Sequence, residues 1–478
     1  MGDIIEVVIG IVGEQHVSVG DAIRDDQTHD ECLTVDGVVP LAVVCPADTS
    51  EVRRVLRACD EQHVGVTARG SATGLSGGCT PTPDGIVMSF ERMDSIIEID
   101  TANHVAVVQP GVTLAQLNDA IAPLGFVYPV FPGEASASIG GNVGTNAGGM
   151  RAVKYGVTRH HVLGLEAVLA CGDVIRTGGK YVKSSTGYDL TQLVIGSEGT
   201  LALVTEITLK LAPLLAHRAT LLAPFTTLEQ VTEAVPRIIS AGAAPLMLEY
   251  IDQVTMAGIT QAAGLDLGIS EEVRAATAAY LVVVLEGARA DRTDEDAEAV
   301  ATLLDSLGAI DVFVLPPTAG EQLIKARERA FFVAKAAGSN DIVDVVVPRA
   351  AIPGYLALAG ALAAKHESLV FGCGHAGDGN VHLTVFQPDP AMRIPLVREL
   401  LEEGMAAGGA ISGEHGLGRA KAGVFLELGD PVVISLMQKV KQAFDPNGIL
   451  GPGNLPGLPP DHAQSDSPGA LAPEPAEL

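Results

Sequence analysis

The chain has 478 residues, 47% of them apolar, which allows two or three domains with large buried cores. Its 58 Asp and Glu against 30 Lys and Arg leave a net charge of −28, which argues against nucleic acid or an anionic membrane as a partner. A small anionic substrate then needs a local positive site against that field.

Met1 to Gly10 carries Asp3 and Glu6 where a secretory signal carries basic residues, and no run of about 18 apolar residues follows, so no membrane span is expected. Six scattered cysteines without a C-x-x-C pair form neither a disulfide framework nor a zinc knuckle. Together these features predict a cytoplasmic protein.

Residues 1–37 read as an acidic N-terminal segment. Val38 to Cys45 is a predicted strand, followed by an amphipathic helix over Thr49 to Gln62 with Asp48 or Ser50 as its cap. Further strands are predicted at Val64–Ala68, Ile86–Ser89, Ile96–Asp100 and Val105–Gln109, then a helix over Leu114–Ala122. The glycine-rich stretch from Pro129 to Gly156 lacks periodicity, and loops of that length in compact domains are usually functional. Strands resume at Leu163–Leu169, Leu193–Ile195 and Leu203–Leu209.

From about residue 217 strands and amphipathic helices alternate. The strands are predicted at Arg218–Leu222, Leu246–Ile251, Ala279–Glu286 and Asp311–Val314, the helices at Leu228–Ala241, Asp294–Leu307 and Gly320–Ala337. This predicts an α+β domain with an antiparallel sheet over 217–456, after a first domain over 38–216. The Pro-, Ala- and acid-rich tail over 457–478 is predicted to be disordered.

Three glycine-rich loops stand out in the first half. The first is Arg69-Gly70-Ser71-Ala72-Thr73-Gly74-Leu75-Ser76-Gly77, directly after a strand. Small residues there let backbone N–H groups converge on an anion, although such a cluster alone is equally a turn. It matches neither G-x-G-x-x-G opening a helix nor a Walker loop, which disfavours a Rossmann site. The second runs from Pro132-Gly133 through Ser138, Gly140, Gly141, Asn142, Gly144 and Asn146; the third is Gly196-Ser197-Glu198-Gly199. Three such loops suggest backbone wrapped around a large flat ligand with a pyrophosphate.

In this order the loops resemble the FAD domain of the vanillyl-alcohol oxidase/p-cresol methylhydroxylase superfamily. Within it the chain is most similar to the D-lactate dehydrogenase, glycolate oxidase flavin-subunit and D-2-hydroxyglutarate dehydrogenase branch, over about residues 38–456. The resemblance implies a two-subdomain FAD-binding domain followed by an α+β cap. It implies that Arg69 to Gly77 cradle the pyrophosphate and that Pro132, Gly133, Ser138, Gly140, Gly141, Asn142, Gly144 and Asn146 line the flavin and ribityl chain. Glu198, Gly199 and the strand at Ile207 would meet the adenosine side. Some relatives bind FAD covalently through a His where this chain has Ser71, so non-covalent FAD is expected.

The second half carries Gly374-His375-Ala376-Gly377-Asp378-Gly379-Asn380-Val381-His382 and, later, Ser412-Gly413-Glu414-His415-Gly416. Two imidazoles and a carboxylate, His375, His382 and Glu414, suit an open catalytic zinc site. His415 has the pKa range of a base for a hydroxyl proton. The resemblance implies the same roles, with iron or manganese as alternatives to zinc. A 2-hydroxy acid also needs a cation for its carboxylate, and the segment after Glu321 holds Arg327 and Arg329; the resemblance implies Arg327. Asp378 and Asn380 read as turn-shaping residues.

Relatives acting on D-2-hydroxyglutarate carry Thr, Lys and Asn where this chain has Phe331, Ile342 and Thr384. That apolar set points to D-lactate or glycolate rather than a dicarboxylate, with Lys335 as a remaining second cation. The expected function is FAD-dependent oxidation of a small 2-hydroxy acid. Its electron acceptor could be a quinone, a cytochrome, an electron-transfer flavoprotein or a partner subunit, and a homodimer is an open assembly. The rivals are a D-2-hydroxyglutarate dehydrogenase, a non-redox flavoprotein transferase of the alkyl-glycerone-phosphate synthase type, and an FAD-binding subunit of a larger oxidase complex.

Overall fold

The computed structural model describes residues 3–455, so the tail predicted over 457–478 lies outside the described residues. Two small sheets, with a two-stranded pair of Phe126–Val127 and Ala212–Pro213, build the first half. One orders Val17–Ser18, Ala42–Val44, Ile86–Ser89 and Val66–Arg69, the last three mutually parallel. The other is antiparallel and orders Ile96–Asp100, Val105–Val108, Leu203–Lys210, Val162–Val168 and Val174–Gly178. The helix Thr49–Gln62 begins where predicted because the Asp48 carboxylate caps the Glu51 N–H. Its apolar stripe, Val52, Val55, Leu56 and Cys59, is buried against the parallel sheet.

Several features of the first half depart from the sequence reading. Residues 1–37 contain a helix, Ile4–Val12, whose Ile4, Val8 and Val12 enter the same core as Ala42 and Val44. The segment read as a strand at Leu193–Ile195 belongs mainly to a helix, Leu190–Val194, capped by Asp189. The glycine-rich stretch contains helices Ile139–Thr145 and Ala152–Tyr155.

The second half is one seven-stranded antiparallel sheet. Its order is Phe313–Leu315, His217–Phe225, Ala279–Gly287, Met247–Asp252, Leu369–Gly374, Asn380–Phe386 and Asp341–Val346. One face packs under the helices Leu228–Ser240, Ala290–Ser306, Ile352–Lys365 and Pro390–Ala406 in the largest core. The other face meets Gln253–Ala263 and Pro317–Glu328 and turns toward the first half. The helix predicted over Gly320–Ala337 is two, interrupted at Arg329.

After the cap the chain returns to the first half. Ile449 and Leu450 lie in the core beneath the parallel sheet, and Leu450 bridges to Val66. Lys441 secures that return: its buried Nζ donates to Thr200 O and Leu450 O at 2.8 Å and to Asp445 Oδ2 at 2.5 Å. Lys441→Ala strands the fully buried Asp445 carboxylate and is expected to cost about 3–5 kcal/mol, read by urea unfolding of the flavin-loaded protein. A loss below about 1 kcal/mol would mean that Asp445 is compensated without Lys441.

Candidate active site

A cleft of about 210 Å³ runs between the two larger sheets of the first half. Gly70–Ser76 form one wall, and Pro132, Ser138, Gly140, Gly141, Asn142 and Gly144 form the other. The walls meet so closely that a Cβ on Gly70 would lie 2.1 Å from Ser138 Oγ, and one on Gly140 2.5 Å from Pro110 Cβ. Approach distance therefore favours glycine there, most rigidly at Gly140, where Pro110 O also lies 2.9 Å from a Cβ.

A second cavity opens between the cap sheet and the first half. It shares Leu75, Pro132, Glu414 and His415 with the cleft, so the two spaces meet at those side chains. Strand register sets its polar end. His382 stands opposite Cys373 on one neighbour and Asp344 on the other, so all three face the same side. His375 closes the adjacent turn.

His375 Nε2 and His382 Nε2 are 3.2 Å apart and lie 3.2 and 3.3 Å from Glu414 Oε1. Tetrahedral zinc with bonds near 2.0–2.1 Å would separate its ligand atoms by about 3.3 Å. The triangle therefore fits a cation bound from one side, with a further position open. Burial opposes charge on His375, yet Glu249 and Glu414 hold its pKa well above the ordinary range. Burial would raise Glu414, but His375 and His382 hold its carboxyl well below the usual range.

Two carboxylates that the sequence reading did not single out organise this end. Glu249 Oε1 lies 2.7 Å from His375 Nδ1, and Glu249 Oε2 lies 3.0 Å from an Arg327 guanidinium nitrogen. That second contact is off the hydrogen-bonding direction, so two buried guanidinium nitrogens of Arg327 still lack an acceptor. Asp344 Oδ2 accepts the backbone N–H groups of Gly413, Glu414 and His415 at 2.8–3.0 Å, and its Oδ1 accepts Asn380 Nδ2 at 2.8 Å. A single Glu within the apolar run Leu246 to Ile251 was the available signal, because a buried strand carboxylate requires a partner.

His415 stacks flat on His382, with ring centroids 5.2 Å apart, and its Nδ1 lies 3.8 Å from Asp344 Oδ2. Burial pushes its pKa down to about 4 despite Asp344, so the ring is neutral and able to accept a proton. Glu198 fixes this loop against the first half. Its carboxylate accepts the N–H groups of Leu417 and Gly418, both at 2.8 Å. Ser76 Oγ donates to the carbonyls of His415 and Gly416.

A family model described as "FAD binding domain" matches residues 40–178, and one described as "FAD linked oxidases, C-terminal domain" matches residues 214–455. The chain belongs to the FAD-linked oxidase family. An uncharacterized FAD-linked oxidoreductase of Mycobacterium tuberculosis is 55% identical over 93% of this chain and 96% of its own length. Glycolate oxidase subunit GlcD of Bacillus subtilis is 36% identical, covering 95% and 96%. A D-lactate dehydrogenase of Archaeoglobus fulgidus is also 36% identical, covering 91% and 95%. The fold matches that of p-cresol methylhydroxylase, with a TM-score of 0.77 at 20% identity over 94% of this chain and 96% of that one.

In this FAD-linked oxidoreductase most of the expected cofactor residues line the cleft, including Glu198 and Gly199, while Gly133 lines the second cavity. Four line neither. Ile207 is fully buried in the core under the antiparallel sheet. Arg69 turns away, its guanidinium donating to His29 O and lying 3.5 Å from Asp26. Asn146 caps its helix in the left-handed region and accepts the Arg159 N–H. Gly77, at φ +75°, donates to Asp30. Asp30 itself lines the cleft, so the N-terminal segment contributes to the site. Lys335 pairs with Glu31 and supplies no second cation to the cavity.

Glu198→Ala leaves the Leu417 and Gly418 N–H groups without acceptors, at about 1–3 kcal/mol each. Their amide exchange is expected to accelerate at least tenfold while Val381–Val385 stays protected. Unchanged exchange would show that the loop is held by other contacts.

Proposed function

We propose that this flavoenzyme oxidises a 2-hydroxy acid to the 2-oxo acid, D-lactate and glycolate being the simplest candidates. The observation that carries the reading is the convergence of Arg327, His375, His382, Glu414 and His415 on the cavity that meets the FAD cleft. The names of the Bacillus and Archaeoglobus relatives support the same chemistry.

Ser71 stands where a covalent His would be needed, which supports non-covalent FAD. His375, His382 and Glu414 would hold a divalent ion, zinc or alternatively iron or manganese. When bound, FAD takes up hydride and the ion polarises the substrate's oxygens. The unpaired guanidinium nitrogens of Arg327 bind the carboxylate, and Glu249 holds that guanidinium at a fixed distance from His375. Neutral His415 accepts the hydroxyl proton, and Asp344 steadies its backbone.

Phe331, Ile342 and Thr384 all line the cavity, which supports exclusion of a dicarboxylate such as D-2-hydroxyglutarate. No helix among the described residues is long and apolar enough to cross a membrane. The reduced flavin would pass its electrons to an acceptor, with a quinone, a cytochrome, an electron-transfer flavoprotein or a partner subunit all open.

The test is anaerobic addition of D-lactate, glycolate or D-2-hydroxyglutarate to metal-replete protein, followed by visible absorbance. Bleaching of the flavin band near roughly 450 nm by one of the first two is expected. A band that none of the three bleaches would shift weight to a transferase or a non-catalytic subunit. Arg327→Ala is expected to raise KM for the acid about 10–100-fold with a smaller change in kcat. An unchanged KM would mean that Arg327 does not hold the carboxylate.

A further inference from the structure

The cavity wall continues past the polar groups that a two- or three-carbon acid would engage. It holds about 240 Å³, and beyond Arg327 and the His–Glu cluster its lining is largely apolar. The register of the cap sheet explains the division. Ile342, Thr384 and Phe371 stand opposite one another, two residues along their strands from Asp344, His382 and Cys373. Period-two alternation puts both rows on the same face, so a largely apolar row lies beside the ligand row.

Phe331 and Ala334, on the helix Ala330–Ala336, extend the apolar wall, and Ile259 of Gln253–Ala263 adds to it. All of these belong to the cap, so the wall remains when the Leu75–Pro132 mouth is given to the flavin. Among the described residues lining the cavity, Arg327 is the one Lys or Arg. The other ionisable group along the wall beyond the His–Glu cluster is Glu328, whose carboxyl burial pushes up to about 7. Nothing there compensates a second carboxylate, while apolar surface is continuous.

Building on the 2-hydroxy-acid reading, we propose that the preferred substrate carries an extended apolar side chain, of four to six carbons in total or an aromatic equivalent. The carboxylate sits at Arg327, the hydroxyl at the His–Glu cluster, and the side chain lies against Phe331, Ile342 and Phe371.

The test is a kcat/KM series on the FAD- and zinc-loaded enzyme with an artificial acceptor dye. The substrates are glycolate and the 2-hydroxy derivatives of propanoate, butanoate, pentanoate, hexanoate and glutarate, chiral ones as racemates. Each added methylene is expected to raise kcat/KM about fourfold up to the pentanoate or hexanoate. Glutarate should fall at least tenfold below pentanoate. Flat or falling values beyond propanoate would overturn the inference while leaving the 2-hydroxy-acid reading intact. Flavin reduction by none of the series would sink that reading itself. Ala334→Phe, checked for flavin content, is expected to lower the hexanoate-to-propanoate ratio of kcat/KM at least tenfold. An unchanged ratio would place the side chain elsewhere and overturn the assignment.

Discussion

The active loop hangs on a carboxylate with no access to water. Asp344 sits in a strand, fully buried, and gathers three consecutive backbone N–H groups from Gly413, Glu414 and His415 onto one oxygen. Burial alone would protonate it. His415, Lys421 and His382 oppose burial and hold its carboxyl below the usual range. The result is that a loop without secondary structure is aimed as firmly as a strand. Glu414 points at the two histidines, and His415 stacks on His382. Asn380 ties the same carboxylate to the turn carrying His375, so the pieces of the cluster share one anchor.

The second constraint is closeness between the halves. Gly418 sits at φ +49°, and a Cβ there would lie 2.0 Å from Ser76 O. Gly148 faces Glu414, where a Cβ would lie 2.9 Å from Oε2. Contact at such distances lets Glu198 and Ser76 bind the loop directly, and it brings the cleft and the second cavity together at four shared side chains. Oxidation across a cofactor face needs this arrangement, because hydride transfer tolerates little misplacement of donor and acceptor.

The elements legible in the sequence were those whose own residues determine them. Thr49–Gln62 has a cap and an apolar stripe, and it was read with its observed limits. Ile4–Val12 was invisible because its run of β-branched residues lacks a polar face; Asp3 and packing on the parallel sheet make it a helix. Ile139–Thr145 contains glycines that oppose helix formation, and contact with the facing loop overrides that preference. In the site, His375, His382, Glu414, His415 and Arg327 were readable as residue types in a recognisable pattern. Glu249 and Asp344 were not, since a lone carboxylate in an apolar strand acquires its meaning from partners distant in sequence.

Charge explains why the cluster suits a cation. Three buried carboxylates, Glu249, Asp344 and Glu414, stand against two buried basic side chains, Arg327 and Lys421. A substrate carboxylate added to that set, in a chain of net charge −28, would meet repulsion that Arg327 alone does not offset. The histidine between Glu249 and Glu414 registers the same imbalance: burial disfavours its charge, yet the two carboxylates hold its pKa well above the ordinary range. The field there favours positive charge on that buried imidazole. A divalent ion bound to His375, His382 and Glu414 would replace that proton and supply more charge at a fixed point. The anionic substrate and the proposed ion are thus two responses to one electrostatic arrangement, in which the acidic ligands draw in the cation and the cation admits the acid.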